Sequence, residues 1–562
     1  MIFEALSRLG ESQAWYLTIS DGALLAFAGL AVAGAFSKRL HAGLASPFGT
    51  AAFLALAAFA LLAARWPTFF VRDALNEDEA QALAQAITAL HDPIPWLSFD
   101  GNTCGPLNTY ILMLPALFGA HVSFLSTRAI AVLLEFGSAA ALYGCAAVLY
   151  DAALARIAIV PPIAFFALIT QPEFVHYSSE RLSIVLAMFA LLLLCLAARR
   201  GYAPALLFSA GVVAGMIPFA KLQAVPLDAA TLAVAAVAIA ASASLDLRGK
   251  AVRAGALAAG TCAFPAVLLA IVAAHGVLHD FWISYIASSL AYILWTYQPL
   301  SFVTRMPEFG PQFDLLFSVA LAGAASLAFC WKRTAPAQRN VYLASLVILA
   351  GALDAIYAPK RGTVHYVLFG VLPVACAAAA ALGLIVSIWC TKEVAGVRRG
   401  WIAFAFAGAS LLAQGAFARG DYPYLNAIAD YLNGPPDATE ALIERNLSEG
   451  DRLAIWGWRP KYFAFSYTRL GTRDAIGWYQ FSPNMNPYLD YYRARYISDL
   501  TRNRPRGFLD VGPESYDRED KGRYGHEVFP ELAAIVRRDY RLVGTVHFAR
   551  FYLRRDAAER AL

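Results

Sequence analysis

Charge is scarce in this chain of 562 residues: Asp, Glu, Lys and Arg together make up 15%, against 59% hydrophobic residues. With so little charge, a mean hydropathy of +0.53 and repeated apolar runs near the length of a hydrocarbon core, the chain reads as a polytopic α-helical membrane protein. Cysteine is scarce too. Of seven cysteines, Cys145, Cys195, Cys262, Cys330, Cys376 and Cys390 lie in or beside apolar runs and Cys104 alone falls in a polar loop, so no intrachain disulfide framework follows. The N-terminus has neither the basic n-region nor the small-residue cleavage site of a signal peptide; the first apolar run is expected to be a retained helix, with residues 1–16 as an amphipathic lead. A glycine–lysine nucleotide loop, a zinc-ligand spacing and a serine-nucleophile elbow are all missing. The formal net charge of +5 is explained by loop orientation and gives no support to nucleic-acid binding.

Apolar runs near 20–36, 48–66, 126–149, 156–171, 181–198, 203–219, 222–244, 252–275, 313–331, 340–357, 364–389 and 401–417 predict about twelve transmembrane helices. The stretch 107–118, interrupted by Pro115, is too short to cross and reads as a juxtamembrane helix. Alternate connections carry Lys38 and Arg39; Arg156; Arg199 and Arg200; Arg248, Lys250 and Arg253; Lys332, Arg333 and Arg339; Lys392, Arg398 and Arg399. Basic loops face the cytoplasm. The opposite side then holds both termini, the 67–125 loop, the 172–180 turn, the 276–312 loop and the 358–363 turn. After Phe417 the composition changes, with 42 of the 85 charges falling in the last 145 residues. The domains read as a transmembrane part, 1–417, that includes the outer loop 67–125, and a soluble α/β part, 418–562. The alanine-rich composition suggests a bacterium, which makes the location a multi-pass inner (plasma) membrane protein with a periplasmic C-terminal domain.

Against this apolar background the run Asn76-Glu77-Asp78-Glu79-Ala80 stands out, three carboxylates about ten residues after the apolar run that ends at Trp66. Ionisable groups at a membrane surface point to a functional site; a solvated helix start favoured by the helix dipole is the other reading. The spacing of Ala80, Leu83, Ala84, Ile87 and Leu90 predicts a short amphipathic helix lying on the bilayer. The same loop continues through Asp100, Asn102, Cys104 and Pro106. The 172–180 turn adds Glu173, His176, Tyr177 and Glu180, with Glu180 and Arg181 as a candidate buried pair, and an ordinary interfacial belt as the alternative. Lys221 and Gln223 interrupt a continuous apolar stretch, where a lysine either snorkels or meets a phosphate. Lys360-Arg361-Gly362-Thr363-Val364-His365-Tyr366 is a basic turn on the outer side, against the positive-inside trend; it suits a lipid phosphate, bound for chemistry or as simple anionic-lipid contact. These segments are expected to line one cavity at the outer leaflet. Carboxylates and cations there suit transfer from a phosphate-linked lipid to a hydroxyl.

These residues resemble the GT-C superfamily of membrane glycosyltransferases, and in particular its protein mannosyltransferase and aminoarabinose transferase branch. Asn76-Glu77-Asp78-Glu79-Ala80 is similar to the family's Asp-Glu in the first outer loop, and Gly105-Pro106-Leu107-Asn108-Thr109-Tyr110 to its Pro-Leu juxtamembrane helix, with Arg128 opening the next span. His176-Tyr177-Ser178-Ser179-Glu180 and His365-Tyr366 are similar to segments at outer helix ends in such enzymes. The resemblance implies Asp78 as catalytic base beside Glu79, and a sugar on polyprenyl phosphate as donor. Lys221, Lys360, Arg361 and His365 are then the candidates for the donor phosphate, and Glu77, Asn102, His176, Tyr177, Glu180 and Tyr366 for substrate contact. Two departures stand against the family pattern. Cys104 and Gly105 occupy the place where aminoarabinose transferases carry a lysine, and the span 20–36 is additional. Some branches use a divalent metal, which this sequence neither requires nor excludes; no metal ligands are assigned and no other cofactor is identified.

In the tail, 452–458 and 507–511 predict strands, 527–538 a helix and 541–553 further strands. Trp456, Trp458, Trp478, Tyr479, Tyr488, Tyr491 and Tyr492 are either sugar-stacking or core aromatics. The expected activity is an inverting glycosyltransferase acting on a glycan, glycolipid or protein acceptor. A transporter or flippase of a lipid-linked glycan is the alternative, which would place ionisable groups near the bilayer midplane rather than at helix ends.

Overall fold

The computed structural model describes residues 13–295, 310–359, 363–389, 395–418, 437–477, 480, 487–512 and 524–558. In chain order the main helices are α1 (Gln13–Phe36), α2 (Pro47–Arg65), α3 (Glu77–Ala89), α4 (Pro106–Leu112), α5 (Phe124–Leu149), α6 (Ser179–Arg199), α7 (Pro204–Ala220) and α8 (Val225–Ala241). They continue with α9 (Leu247–Ala274), α10 (Gly310–Cys330), α11 (Pro336–Tyr357), α12 (Leu368–Trp389) and α13 (Ala395–Ala418). The C-terminal segment adds β1 (Arg452–Trp456), β2 (Arg469–Leu470), α14 (Leu489–Asn503), β3 (Gly507–Asp510), α15 (Pro530–Asp539), β4 (Tyr540–Val546) and β5 (Ala549–Arg554).

Among the described residues nine helices are long and apolar enough to cross a membrane, and the chain is a multi-pass membrane protein. Each of the twelve expected spans is helical. Two of them, Ala152–Leu168 and Pro204–Ala220, are shorter than the nine, and α13 opens on Arg398 and Arg399 before its apolar part. Pro106–Phe118 is a short apolar helix, as expected. Residues 1–12 of the expected lead 1–16 and Cys390 lie outside the described residues, while 13–16 open α1; the cysteines within the described residues are free thiols.

The chain divides into two compact units. The first comprises Met1–Phe70, Ala131–Val267 and Gln298–Ala429 and is a helical bundle. Proline opens α2, α7 and α11, where its missing N–H would lack a helical partner anyway. α7 and α9 cross closely: a Cβ on Gly211 would stand 2.3 Å from the Leu257 carbonyl oxygen, and one on Gly260 would stand 2.1 Å from that of Phe208. Only glycine permits that backbone approach. α7 stops at Ala220, Lys221 is extended, and a 3₁₀ turn leads into α8, so the polar interruption expected at Lys221 is a real break between helices.

The second unit comprises Val71–Ile130, Leu268–Tyr297 and Asp430–Leu562. Its sheet runs β2-β1-β3-β5-β4, with β1 parallel to β2 and β3, and β5 antiparallel to β3 and β4. Side chains alternate across it. Ala454 and Trp456 of β1 join Tyr496 and Leu500 of α14 and Leu532 and Val536 of α15 on one face. Leu453 and Ile455 face the other way, into a cluster with Tyr462, Phe463, Phe551, Phe99 and, from α3, Ala84 and Ala89. The helix carrying the acidic run is therefore part of the core of the C-terminal sheet. Every residue from Glu79 to Ala89 is buried, which corrects the expectation of a helix lying on the bilayer. Its polar residues are matched by protein instead: Gln85 donates to the Asp100 carbonyl (3.0 Å) and accepts from Thr109 (3.1 Å), and the Thr88 hydroxyl accepts from the Leu470 N–H of β2 (2.9 Å).

Candidate active site

Asn76 caps α3, its side-chain oxygen accepting from the Asp78 N–H at 2.8 Å, so Glu77, Asp78 and Glu79 fall in the first turn, where the helix dipole favours negative charge. The three carboxylates then part company. Glu79 is fully buried and clamped by Arg128 of α5, with Nε 3.0 Å from Oε1 and Nη2 2.8 Å from Oε2, while the Leu75 N–H also donates to it. Arg128 further donates to the carbonyls of Val71 and Asp73. The arginine expected to open the next span is thus the lock that fixes this turn. Glu77 is half-buried, accepts from Arg459 at 3.0 Å, and is pushed up to about 7 by burial, against the pull of Arg459 and then Lys461. Lys461 donates to Asp73 at 2.9 Å. Both cations follow the end of β1, a contribution no sequence spacing disclosed. Asp78 is half-buried.

The loop after α3 is held just as firmly. Arg495 of α14 bridges Asp100 (2.7 Å) and Asp474, Ser284 donates to Asp100, and Tyr491 donates to Asp280 at 2.5 Å. Asn102 follows in left-handed backbone, φ +54°, its N–H donating to Asp100 Oδ1 at 2.8 Å.

The remaining described candidates gather in the first unit. Glu180, fully buried at the start of α6, pairs with Lys221 and lies 3.8 Å from His365 Nε2. His365 Nδ1 meets Glu173 at 2.6 Å, its ring stands against His176 with centroids 5.5 Å apart, and Lys221 lies 5.1 Å from the Tyr366 ring centroid. Glu180, Lys221, His176, His365 and Tyr366 are thereby brought together, with Tyr177 buried on the same turn. Lys360 and Arg361 lie outside the described residues. The expected Glu180–Arg181 pair does not form. Adjacent helix positions point apart, and Arg181 instead meets Glu135 of α5 at 2.7 Å, which Arg65 also approaches at 3.4 Å. Sequence reasoning passed over that triad; its signal was a lone acid inside the apolar run 126–149.

Among the described residues of the second unit one group has metal-ligand chemistry, Asp510, His526 and Glu527. Arg550 already supplies its cation, donating to Asp510 and to both Glu527 oxygens (2.5 and 2.7 Å). Of the tail aromatics, Trp456 and Tyr492 are fully buried and belong to the core, while Trp478 and Tyr479 lie outside the described residues.

No protein-family model matches the chain, and no curated protein matches it. Among solved structures, ArnT from Cupriavidus metallidurans bound to undecaprenyl phosphate is similar at 13% identity and a TM-score of 0.50, covering 90% of this chain and 98% of that one. The oligosaccharyltransferase of Archaeoglobus fulgidus tethered with an acceptor peptide is similar at 14% identity and a TM-score of 0.47, covering 89% of this chain and 73% of that one. At such identities the likeness is one of fold alone: this chain, a helical membrane part with a small C-terminal sheet, shares its fold with that ArnT structure.

Proposed function

We propose that this chain is an inverting glycosyltransferase that moves a sugar from a polyprenyl-phosphate donor to a hydroxyl acceptor. The observation that carries the reading is the division of labour at the start of α3. Glu79 is committed to Arg128 and acts as a positioning group, Asp78, the Asp of the family-like Asp-Glu, is the base, and Glu77, paired with Arg459, is a second carboxylate near substrate. Asp78 accepts the proton of the acceptor hydroxyl as its oxygen attacks the anomeric carbon from the side opposite the phosphate, and the carbon–oxygen bond to phosphate breaks with inversion. The leaving phosphate needs cations. Lys221 and His365 each face a carboxylate, and the cations for the leaving phosphate are Lys360 and Arg361.

The solved ArnT structure with undecaprenyl phosphate supports a prenyl-phosphate donor for a chain of the same fold. The alternation of basic loops supports a C-terminal domain on the outer side, and the alanine-rich composition supports a bacterial inner membrane, which makes that side the periplasm, where the acceptor is a glycan, glycolipid or protein. Native mass spectrometry of the purified chain tests the reading directly: a co-purifying prenyl-phosphate sugar is expected. With that lipid as donor, Asp78→Asn should lower turnover by roughly 100–10,000-fold while donor binding persists. Near-normal turnover by Asp78→Asn would remove the base from this residue.

A further inference from the structure

Asn102 combines three features that a purely structural residue has no reason to combine. Its backbone is left-handed, φ +54°, a conformation in which glycine is cheaper than any side chain. It is fixed there: the Asn102 N–H donates to Asp100 Oδ1 (2.8 Å), the Gly101 carbonyl accepts from Cys104 N–H (3.0 Å) and from Gln81 Nε2 (3.2 Å), and Asp100 is itself anchored by Arg495 at 2.7 Å. Third, the residue is only 2% exposed, and among the described residues neither its amide oxygen nor its amide nitrogen has a hydrogen-bond partner. Buried amides are normally satisfied, and an orphan is destabilising. An orphaned amide, buried and held rigidly at one position, is the mark of a group kept for a ligand.

The chemistry of the amide narrows the ligand. It offers an acceptor and a donor side by side and carries no charge. A phosphate presents only acceptors and would leave the amide oxygen unmet. A hydroxyl both donates and accepts, and two neighbouring hydroxyls satisfy both ends of the amide together. Gln81, one turn beyond Glu77 and Asp78 on α3, holds the adjacent Gly101, which ties Asn102 to the helix that carries the proposed base. We infer that Asn102 is a specificity residue that reads adjacent hydroxyls of a carbohydrate, an inference that rests on the glycosyltransferase reading. Asp100 and Arg495 are its positioning residues.

The test uses the full-length protein in detergent, with undecaprenyl phosphate and a panel of hexosyl and pentosyl undecaprenyl phosphates as probes. Binding is measured by native mass spectrometry and unfolding by thermal melting. Asn102→Gly keeps the backbone and removes the amide. It is expected to melt at or above the wild-type temperature without ligand, to bind bare undecaprenyl phosphate as wild type does, and to bind the preferred sugar lipid roughly 10–100-fold more weakly. A deoxy analogue of that lipid lacking the hydroxyl read should show the same loss on wild type and no further loss on Asn102→Gly, since the two deletions remove one interaction. Equal loss of both lipids, an unchanged preference, additive losses, or a lower melting temperature would each overturn the inference. A wild-type protein that binds every sugar lipid no better than bare undecaprenyl phosphate would instead overturn the glycosyltransferase reading, and this inference with it.

Discussion

The sharpest consequence of the α3 geometry is that neighbouring carboxylates should fail in different ways. Glu79→Gln removes the counter-charge from an arginine that is itself 1% exposed. At an effective dielectric near 20, charges about 4 Å apart attract by about 4 kcal/mol, and breaking one partner of a buried pair is measured at about 3–5 kcal/mol. For a unit of this size, about 1 kcal/mol corresponds to roughly 2–4 °C, so Glu79→Gln should melt roughly 6–20 °C below wild type. Asp78→Asn, at a half-buried position where the amide keeps the size and polarity of the carboxylate, should melt close to wild type and lose turnover. Glu79→Gln with Arg128→Met should recover only part of the loss, because the carbonyls of Val71 and Asp73, which Arg128 also holds, would then lack their donor. The assay is thermal melting by fluorescence-detected chromatography, paired with turnover at a temperature where all variants are folded. A Glu79→Gln protein that melts like wild type yet is inactive would refute the clamp and return Glu79 to the chemistry.

Glu77 supplies a pH signature. Its folded value near 7, against an ordinary 4.5, means the folded state holds the proton longer than the unfolded chain, so its contribution to stability is full below about 4.5 and is lost as pH rises through about 7; Glu77→Gln should flatten that part of the melting profile, and unchanged curvature would count against it. Arg459→Met, which removes the strongest cationic pull on Glu77, should carry the decline to higher pH in the same melting series. Lys221→Met should be strongly destabilising because it leaves Glu180 buried opposite no lysine, and Lys221→Met with Glu180→Gln should restore most of the melting temperature and bind undecaprenyl phosphate within about threefold of wild type. Gly211→Ala should destabilise by about 1–3 kcal/mol, read by melting, since its Cβ would stand 2.3 Å from a carbonyl oxygen of α9.

What could be read in the sequence followed from local rules. Apolar run length disclosed the spans, the acidic first turn and the spacing after Asp78 disclosed α3, and strand patterning disclosed β1, β3 and the strands β4 and β5. Partner choice could not be read in the same way. Glu180 sits next to Arg181 in the chain but pairs with Lys221, and Arg181 finds Glu135, because helix faces and not adjacency decide contact. The burial of α3 was hidden for a related reason: an amphipathic pattern states that one face is apolar and is silent about what covers the polar one. Arg459 and Lys461 drew no notice in a charged tail, where cations are common.

The sharing of one core between α3 and the C-terminal sheet has a consequence for the order of synthesis. Ala84 and Ala89 leave the ribosome about 370 residues before Leu453 and Ile455, with which they share a core cluster. At about 5–20 residues per second that interval is on the order of 20–70 s, during which the helix carrying the acidic turn has an apolar face and no sheet to cover it. The start of α3 therefore cannot take its final geometry until translation is nearly complete. A fragment ending near residue 418 would present that face permanently, and one beginning there would lack a wall of its own interior.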